Sequence, residues 1–129
     1  MTEEISRKPK GTLAIQTLAM PADTNANGDI FGGWLVSQMD LASSIAAKQR
    51  AKTRVVTVAI DSMVFHQPVQ IGDIVCCYAE IIKVGRTSMT INTEVWTLGA
   101  RDGLLRHVTE GVFTFVAIDE HGRPTPVSR

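Results

Sequence analysis

The chain lacks an excess of charge of either sign, an apolar leader, and nearly all cysteine. Lys+Arg and Asp+Glu both number 13 in 129 residues, so the formal net charge is zero. Nucleic-acid binding and adsorption to anionic lipid usually rest on a basic excess or stripe, so both are set aside. The opening residues MTEEISRKPKG hold no apolar core of the length a secretory signal needs, which predicts a cytoplasmic protein. The two cysteines are adjacent, Cys76 and Cys77, inside an apolar run. Neighbours on a strand point to opposite faces, so the pair is poorly placed for a disulfide or a shared metal. They read as buried, reduced thiols of a reducing compartment.

Whole catalytic sets are also missing. There is no G-x-S-x-G nucleophile elbow. Gly28, Gly32 and Gly33 have neither the Walker nor the dinucleotide-binding spacing. The three histidines, His66, His107 and His121, fall in two separate strands and the tail, so neither a zinc site nor a Ser/His/Asp triad is signalled. No metal and no cofactor are expected.

What is present is an ordinary folded domain. Hydrophobic content of 44% and charged content of 20% exclude a disordered chain, and 129 residues suit one domain. A net charge near zero in so short a chain also hints that some surface is covered by self-association. Residues 1–11 are charged and contain Pro9 and Gly11, predicting a frayed arm, and residues 121–129 read as a polar tail. Between them, 12–120 form the domain. Residues 12–19 read as a strand and 20–31 as a loop of turn-forming residues. A helix is expected from Gly32-Gly33 to about Ala51, with Lys48, Arg50 and Lys52 complementing its C-terminal dipole. After Thr53 the pattern changes to period two and β-branched residues, predicting strands over 54–66, 74–83, 86–98 and 104–118. One long helix against about five antiparallel strands is an α+β protein of the hotdog arrangement. Its open sheet edge invites pairing with a second copy, so at least a dimer is expected.

Between Ile30 and Ala47 the only charged residue is Asp40. A helix so apolar should be buried on most faces. Helical spacing assigns Leu35, Met39, Ala42 and Ala46 to the sheet. It leaves Val36, Asp40, Ser43, Ser44 and Ala47 as a small, partly polar stripe that something else could approach. A carboxylate removed from water must be paired, hydrogen-bonded or protonated, and desolvation raises its pKa toward the range of a general base. Two readings therefore stand for Asp40, a packing contact and a catalytic base.

The loop Asp23-Thr24-Asn25-Ala26-Asn27-Gly28-Asp29-Ile30 matches the first positions of a calcium loop. The match fails at the twelfth position, where Trp34 replaces the bidentate glutamate, so calcium is set aside. Gly32 and Gly33 suit another use. Glycines at a helix start allow close approach, and exposed N–H groups with the positive dipole end favour an anionic oxygen. That is what an oxyanion hole requires. Asn25 or Asn27 could orient water or a carbonyl, or could simply build the turn.

The run LAMPADTNANGDIFGGWLVSQMD (18–40) closely resembles the signature of the YciA-like acyl-CoA thioesterases, hotdog enzymes related to the cytosolic long-chain acyl-CoA hydrolases. RVVTV (54–58), PVQIGDIVCCYAEI (68–81), KVGRTSMTINTEVW (83–96) and FTFVAIDEHGRP (113–124) resemble the same family, so the likeness covers nearly the whole chain. The resemblance implies hydrolysis of acyl-CoA to a carboxylic acid and coenzyme A, the latter entering only as part of the substrate. It places the family's acidic residue on Asp40 and its asparagine on Asn25, contributed by different subunits of a dimer. Coenzyme A contacts fall on Arg54 and Val56, and on Gly85, Arg86, Thr87 and Ser88. A hexamer built as a trimer of dimers is implied. Leu41-Ala42-Ser43-Ser44 departs from the glycine-rich residues many relatives carry after the acid, which bears on chain-length preference. The rivals are a coenzyme A-binding protein without catalysis and a hydroxyacyl-thioester dehydratase. The dehydratase usually pairs a histidine with its carboxylate, and no histidine lies in this loop or helix.

Overall fold

The computed structural model of the chain describes residues 8–128. The first seven residues of the expected arm lie outside the described residues, and 8–11 form neither helix nor strand. The described elements are β1 (Thr12–Leu18), α1 (Gly32–Ala51), β2 (Arg54–Phe65), β3 (Ile74–Val84), β4 (Ser88–Leu98) and β5 (Leu105–Ile118). A 3-10 turn at Pro21–Asp23 opens the loop before α1. Each element begins and ends within two residues of its expected bounds.

The five strands form one sheet in the order β1-β3-β4-β5-β2, with every pairing antiparallel. This is the hotdog fold. The tight turns at 85–87 and 99–104 join true neighbours. The connection through Pro68 and Gly72 instead carries the chain from the β2 edge to β3, on the far side of β5 and β4. Strand β2 is therefore a long open edge, twelve residues with Val56, Val58, Ile60, Val64 and Phe65 exposed. Its pairing with β5 shifts register twice, and at the second shift Ser62 takes a left-handed backbone (φ 56°), which bends the edge.

Helix α1 packs against all five strands. It starts at Phe31 without a side-chain cap and ends where Lys52 turns left-handed, its N–H donating to Lys48 O at 2.8 Å. The expected division of its surface needs one correction. Leu35, Met39 and Ala42 face the sheet as anticipated, but Ser43 and Ala47 are also fully buried. The sheet curves around the helix and reaches more than one stripe. Ser43 survives there because its hydroxyl bonds Met39 O at 2.7 Å and lies 2.6 Å from Thr93 Oγ1. The opposite side is uncovered within one chain: Leu41 is 53% exposed and Ile45 38%.

Residues 119–128 fold back onto the domain. Ile118 bridges Pro124, Thr125 N–H donates to Ala117 O (2.9 Å), and Val127 N–H donates to Arg86 O (2.8 Å). The Arg50 guanidinium donates to Ser128 O. No helix among the described residues is long and apolar enough to cross a membrane.

The buried hydroxyl pair generates a prediction. If Ser43 donates to Met39 O, Thr93 must donate to Ser43, so Ser43→Ala strands the Thr93 hydroxyl and should cost about 1–3 kcal/mol. Adding Thr93→Val should recover part of that loss in a urea-denaturation cycle, because both polar groups are then gone. Full additivity of the two costs would contradict the pairing. A second prediction concerns Cys77, whose thiol is pushed up to about 12, first by burial and then by the neighbouring Cys76. It should stay protonated and silent to a thiol reagent at pH 8, and react once the chain is unfolded. Because the unfolded thiol ionises first, stability should be full below its ordinary value and fall as pH rises toward 12.

Candidate functional site

Asp40 faces β2. Its Oδ1 accepts a hydrogen bond from Thr57 Oγ1 at 2.7 Å, so a side chain of the edge strand holds one carboxylate oxygen. The expectation of a deeply buried charge is corrected: in one chain Asp40 is only half-buried. The uncovered side of α1 and the open edge of β2 leave it beside solvent. Ser44 and Lys48 follow on the same helical stripe, one and two turns on. With Arg54 and Val55 they line a cavity of ≈ 220 Å³. The cavity therefore lies beyond Asp40 toward the C-terminal end of the helix, with two cations in its lining.

The asparagine loop is closed by its own hydrogen bonds. Asn25 Oδ1 accepts from the N–H groups of Asn27 (2.9 Å) and Asp29 (3.1 Å). Asn25 N–H donates to Asp29 O (2.7 Å), and Gly28 N–H donates to Asn25 O (3.1 Å). The carbonyl end of the side chain therefore builds the loop, and the amide NH₂ is the end left to act on anything else. This also removes Asn25 Oδ1 from any calcium set, since it already faces two N–H groups. Phe31 N–H donates to Asp23 O (2.9 Å) and Ile30 N–H to Val69 O (3.0 Å), which fix the loop to the start of α1.

Gly32 and Gly33 open the helix, both exposed. A side chain at Gly33 would meet nothing within 4 Å, whereas one at Gly32 would touch the Phe65 ring at 3.6 Å. Gly32 borders a second cavity of ≈ 340 Å³, lined by Ile30, Leu35, Phe65, His66, Pro68 and Val69 among others. Gly33 and Asp40 are seven residues apart, about 10 Å along the axis at ~1.5 Å per residue. First-turn N–H groups point out of the helix end, away from Asp40. One carbonyl therefore cannot sit against these donors and beside Asp40 of the same chain.

The two expected coenzyme A segments meet at one end of the sheet. Val56 pairs with Val116, and Val116 pairs with Ser88, so the three lie in a row across β2, β5 and β4. Gly85 N–H donates to Ser88 O and Ala117 N–H to Thr87 O, both at 2.8 Å, which holds Thr87 and Ser88 in place. Arg86 is exposed on that turn. Strand alternation puts Val56 on the face opposite Thr57, so Val56 does not face Asp40.

Ser44, expected on the open stripe with Asp40, does line the cavity with Arg54 and Val55. Lys48 is legible in the sequence only through its dipole role, although its spacing of eight after Asp40 puts it on the same stripe, whereas the register that brings Thr57 to the carboxylate leaves no local signal. His66 and His107, expected to lie apart, come together with Glu110.

The Thioesterase superfamily pattern matches residues 27–103. YciA, an acyl-CoA thioester hydrolase of Salmonella typhimurium, is 53% identical over 122 residues, covering 92% of each chain. A hexameric thioesterase of Yersinia pestis superposes with a TM-score of 0.91 at 54% identity, covering 95% of this chain and 100% of its own. A hexameric, broad-specificity acyl-coenzyme A thioesterase, solved as an aspartate-to-alanine mutant, superposes with a TM-score of 0.91 at 53% identity. That match covers 93% of this chain and 88% of the other.

The loop geometry predicts that the two ends of the Asn25 side chain separate genetically. Asn25→Ala removes the acceptor of two loop N–H groups that are exposed and part-buried, and should lower urea stability by about 0.5–1.5 kcal/mol. Asn25→Asp keeps the acceptor and should stay within about 0.5 kcal/mol of the parent. Equal losses in both variants would contradict the assigned orientation.

Proposed function

Because the chain belongs to the thioesterase superfamily, and within it to the YciA-like acyl-CoA thioester hydrolases, we propose that it hydrolyses acyl-CoA at sites each built from two chains. The observation that carries the two-chain reading is the separation of Asp40 from the N–H groups of Gly32 and Gly33 along one helix axis. A second chain resolves it by presenting its own Asp40 to the loop and helix start of the first. The open β2 edge and the uncovered Leu41 and Ile45 offer the surface for that pairing. The hexameric relatives support a trimer of such dimers.

At each site Asp40 acts as general base. Thr57 holds one oxygen, and the other takes a proton from water as the water oxygen bonds to the thioester carbon. Developing charge on the carbonyl oxygen rests against the N–H groups of Gly32 or Gly33, aided by the dipole end of α1. The Asn25 NH₂ donates to the water or the carbonyl, the role its geometry leaves open. Collapse breaks the C–S bond, and the thiolate of coenzyme A takes the proton from Asp40. Water, thioester and side chains suffice, so no cofactor is needed. Lys48 and Arg54 draw the phosphates of coenzyme A into the cavity that they line, with the Gly85–Ser88 turn and Arg86 beside it and Val56 flanking from the outer face. The neutral chain with reduced thiols works in the cytoplasm.

Free thiol released from a panel of acyl-CoAs tests the reaction. At least one chain length should be cleaved, and Asp40→Asn should lower turnover by about 10²–10⁴-fold while coenzyme A still binds. Unchanged turnover in Asp40→Asn would remove the base from the scheme. Separately, Lys48→Ala with Arg54→Ala should raise KM for acyl-CoA about tenfold and leave kcat nearly intact. The same pair should leave hydrolysis of acyl-pantetheine, which lacks the nucleotide phosphates, unchanged. An equal effect on both substrates would contradict a phosphate role.

A further inference from the structure

On the outer face of the sheet, at the end of β2 remote from Thr57, two imidazoles and a carboxylate converge. His107 Nε2 lies 3.1 Å from Glu110 Oε1, and His66 Nε2 lies 3.9 Å from the same oxygen. The three donor atoms all fall within 4.8 Å of one another. On a tetrahedral zinc ion with bonds of ~2.0–2.2 Å, neighbouring ligand atoms sit about 3.3 Å apart. The widest of the three separations would have to close by up to about 1.4 Å, which torsions of the partly exposed His66 and Glu110 side chains can supply. Two neutral imidazoles and a carboxylate are a donor set that zinc-class ions favour over calcium or magnesium.

The framework around the cluster is rigid. His107 is 3% exposed and stacks on Trp96, ring centroids 4.9 Å apart. Trp96 is held in turn by its Nε1–H donating to Glu94 Oε1 at 2.8 Å. His66 is fixed through its backbone, its N–H donating to Val108 O at 2.7 Å. Residues 107 and 110 would face opposite sides of a regular strand. The register shift at Val95/Trp96 gives β5 an extra residue there and turns His107 to the side of Glu110. The side chains of His66 and Glu110 are 41% and 39% exposed, so a fourth position stays open to water or another ligand.

We propose that His66, His107 and Glu110 form a three-ligand site for a zinc-class divalent ion, which pins the end of the edge strand β2 to β5. Thr57 pairs with Phe115 while His66 N–H bonds Val108 O, so the two lie about seven residues of β5 apart, roughly 20 Å at ~3.3 Å per residue, and the ion would not touch Asp40 of its own chain. His66 also lines the cavity beside Gly32, so the test reads metal binding and not turnover, and the proposal can fail while the thioesterase reading stands.

The test uses untagged full-length protein stripped with a chelator and titrated with Zn²⁺ against a chromophoric competitor. One ion per chain is expected, with no competition from Mg²⁺. Zn²⁺ should also raise the melting temperature, because it binds the folded state. Co²⁺ should quench the fluorescence of Trp96. His66→Ala and Glu110→Gln, both at accessible positions, should each weaken Zn²⁺ binding at least tenfold and abolish the thermal shift, with circular dichroism confirming the fold. His121→Ala, in the tail, should change neither. Binding well below one ion per chain, undiminished affinity in His66→Ala or Glu110→Gln, or loss in His121→Ala would overturn the site.

Discussion

Packing of α1 into the curved sheet buries Leu35, Met39, Ala42, Ser43, Ala47 and Ala51, and this contact organises the rest of the molecule. One sheet can cover only one side of an apolar helix. The other side, with Leu41 and Ile45, and the adjoining edge β2 stay open, an arrangement that favours a second copy. Asp40 sits on the seam between covered and open surface. Its bond to Thr57 ties the helix to that edge, so the carboxylate is positioned by the element that remains free to pair.

The length of α1 then constrains the chemistry. Its first-turn N–H groups are strong, uncapped donors, but they point away from Asp40 along the axis. A base and an oxyanion site on the same helix therefore cannot serve the same carbonyl within a chain. The proposed dimer converts this separation into two equivalent sites. The Asn25 loop fits the scheme for the same reason. It is fastened to the helix start through Phe31 and Ile30, so its free amide end travels with the N–H groups and not with the carboxylate.

Local chemistry made much of this legible in the sequence. The uncharged stretch around Asp40, the paired glycines and the period-two strands located the helix, the loop and the sheet. Strand order was not legible, because the partner of β2 is β5, far along the chain, and not the strand that follows it. Ser43 looked like part of an open stripe because its partner Thr93 lies on β4. Thr57 was hidden by the same dependence on register. His66, His107 and Glu110 were hidden more deeply, since only a bulge in β5 gives positions 107 and 110 a common face. The residues that escaped were those whose roles rest on contacts between elements.

Subunit mixing tests the two-chain site most directly. Asp40→Asn and Asn25→Asp protomers, each nearly inactive alone, are unfolded together in equal amounts and reassembled. If each site takes its carboxylate from one chain and its amide from the other, half the dimers are hybrids with one intact site of two. About a quarter of the parent's thioesterase activity should return by that count, under the closed two-fold pairing common in such assemblies. If both groups act within one chain, every site in every mixture stays defective. Activity no higher than the average of the two parents would contradict the composite site.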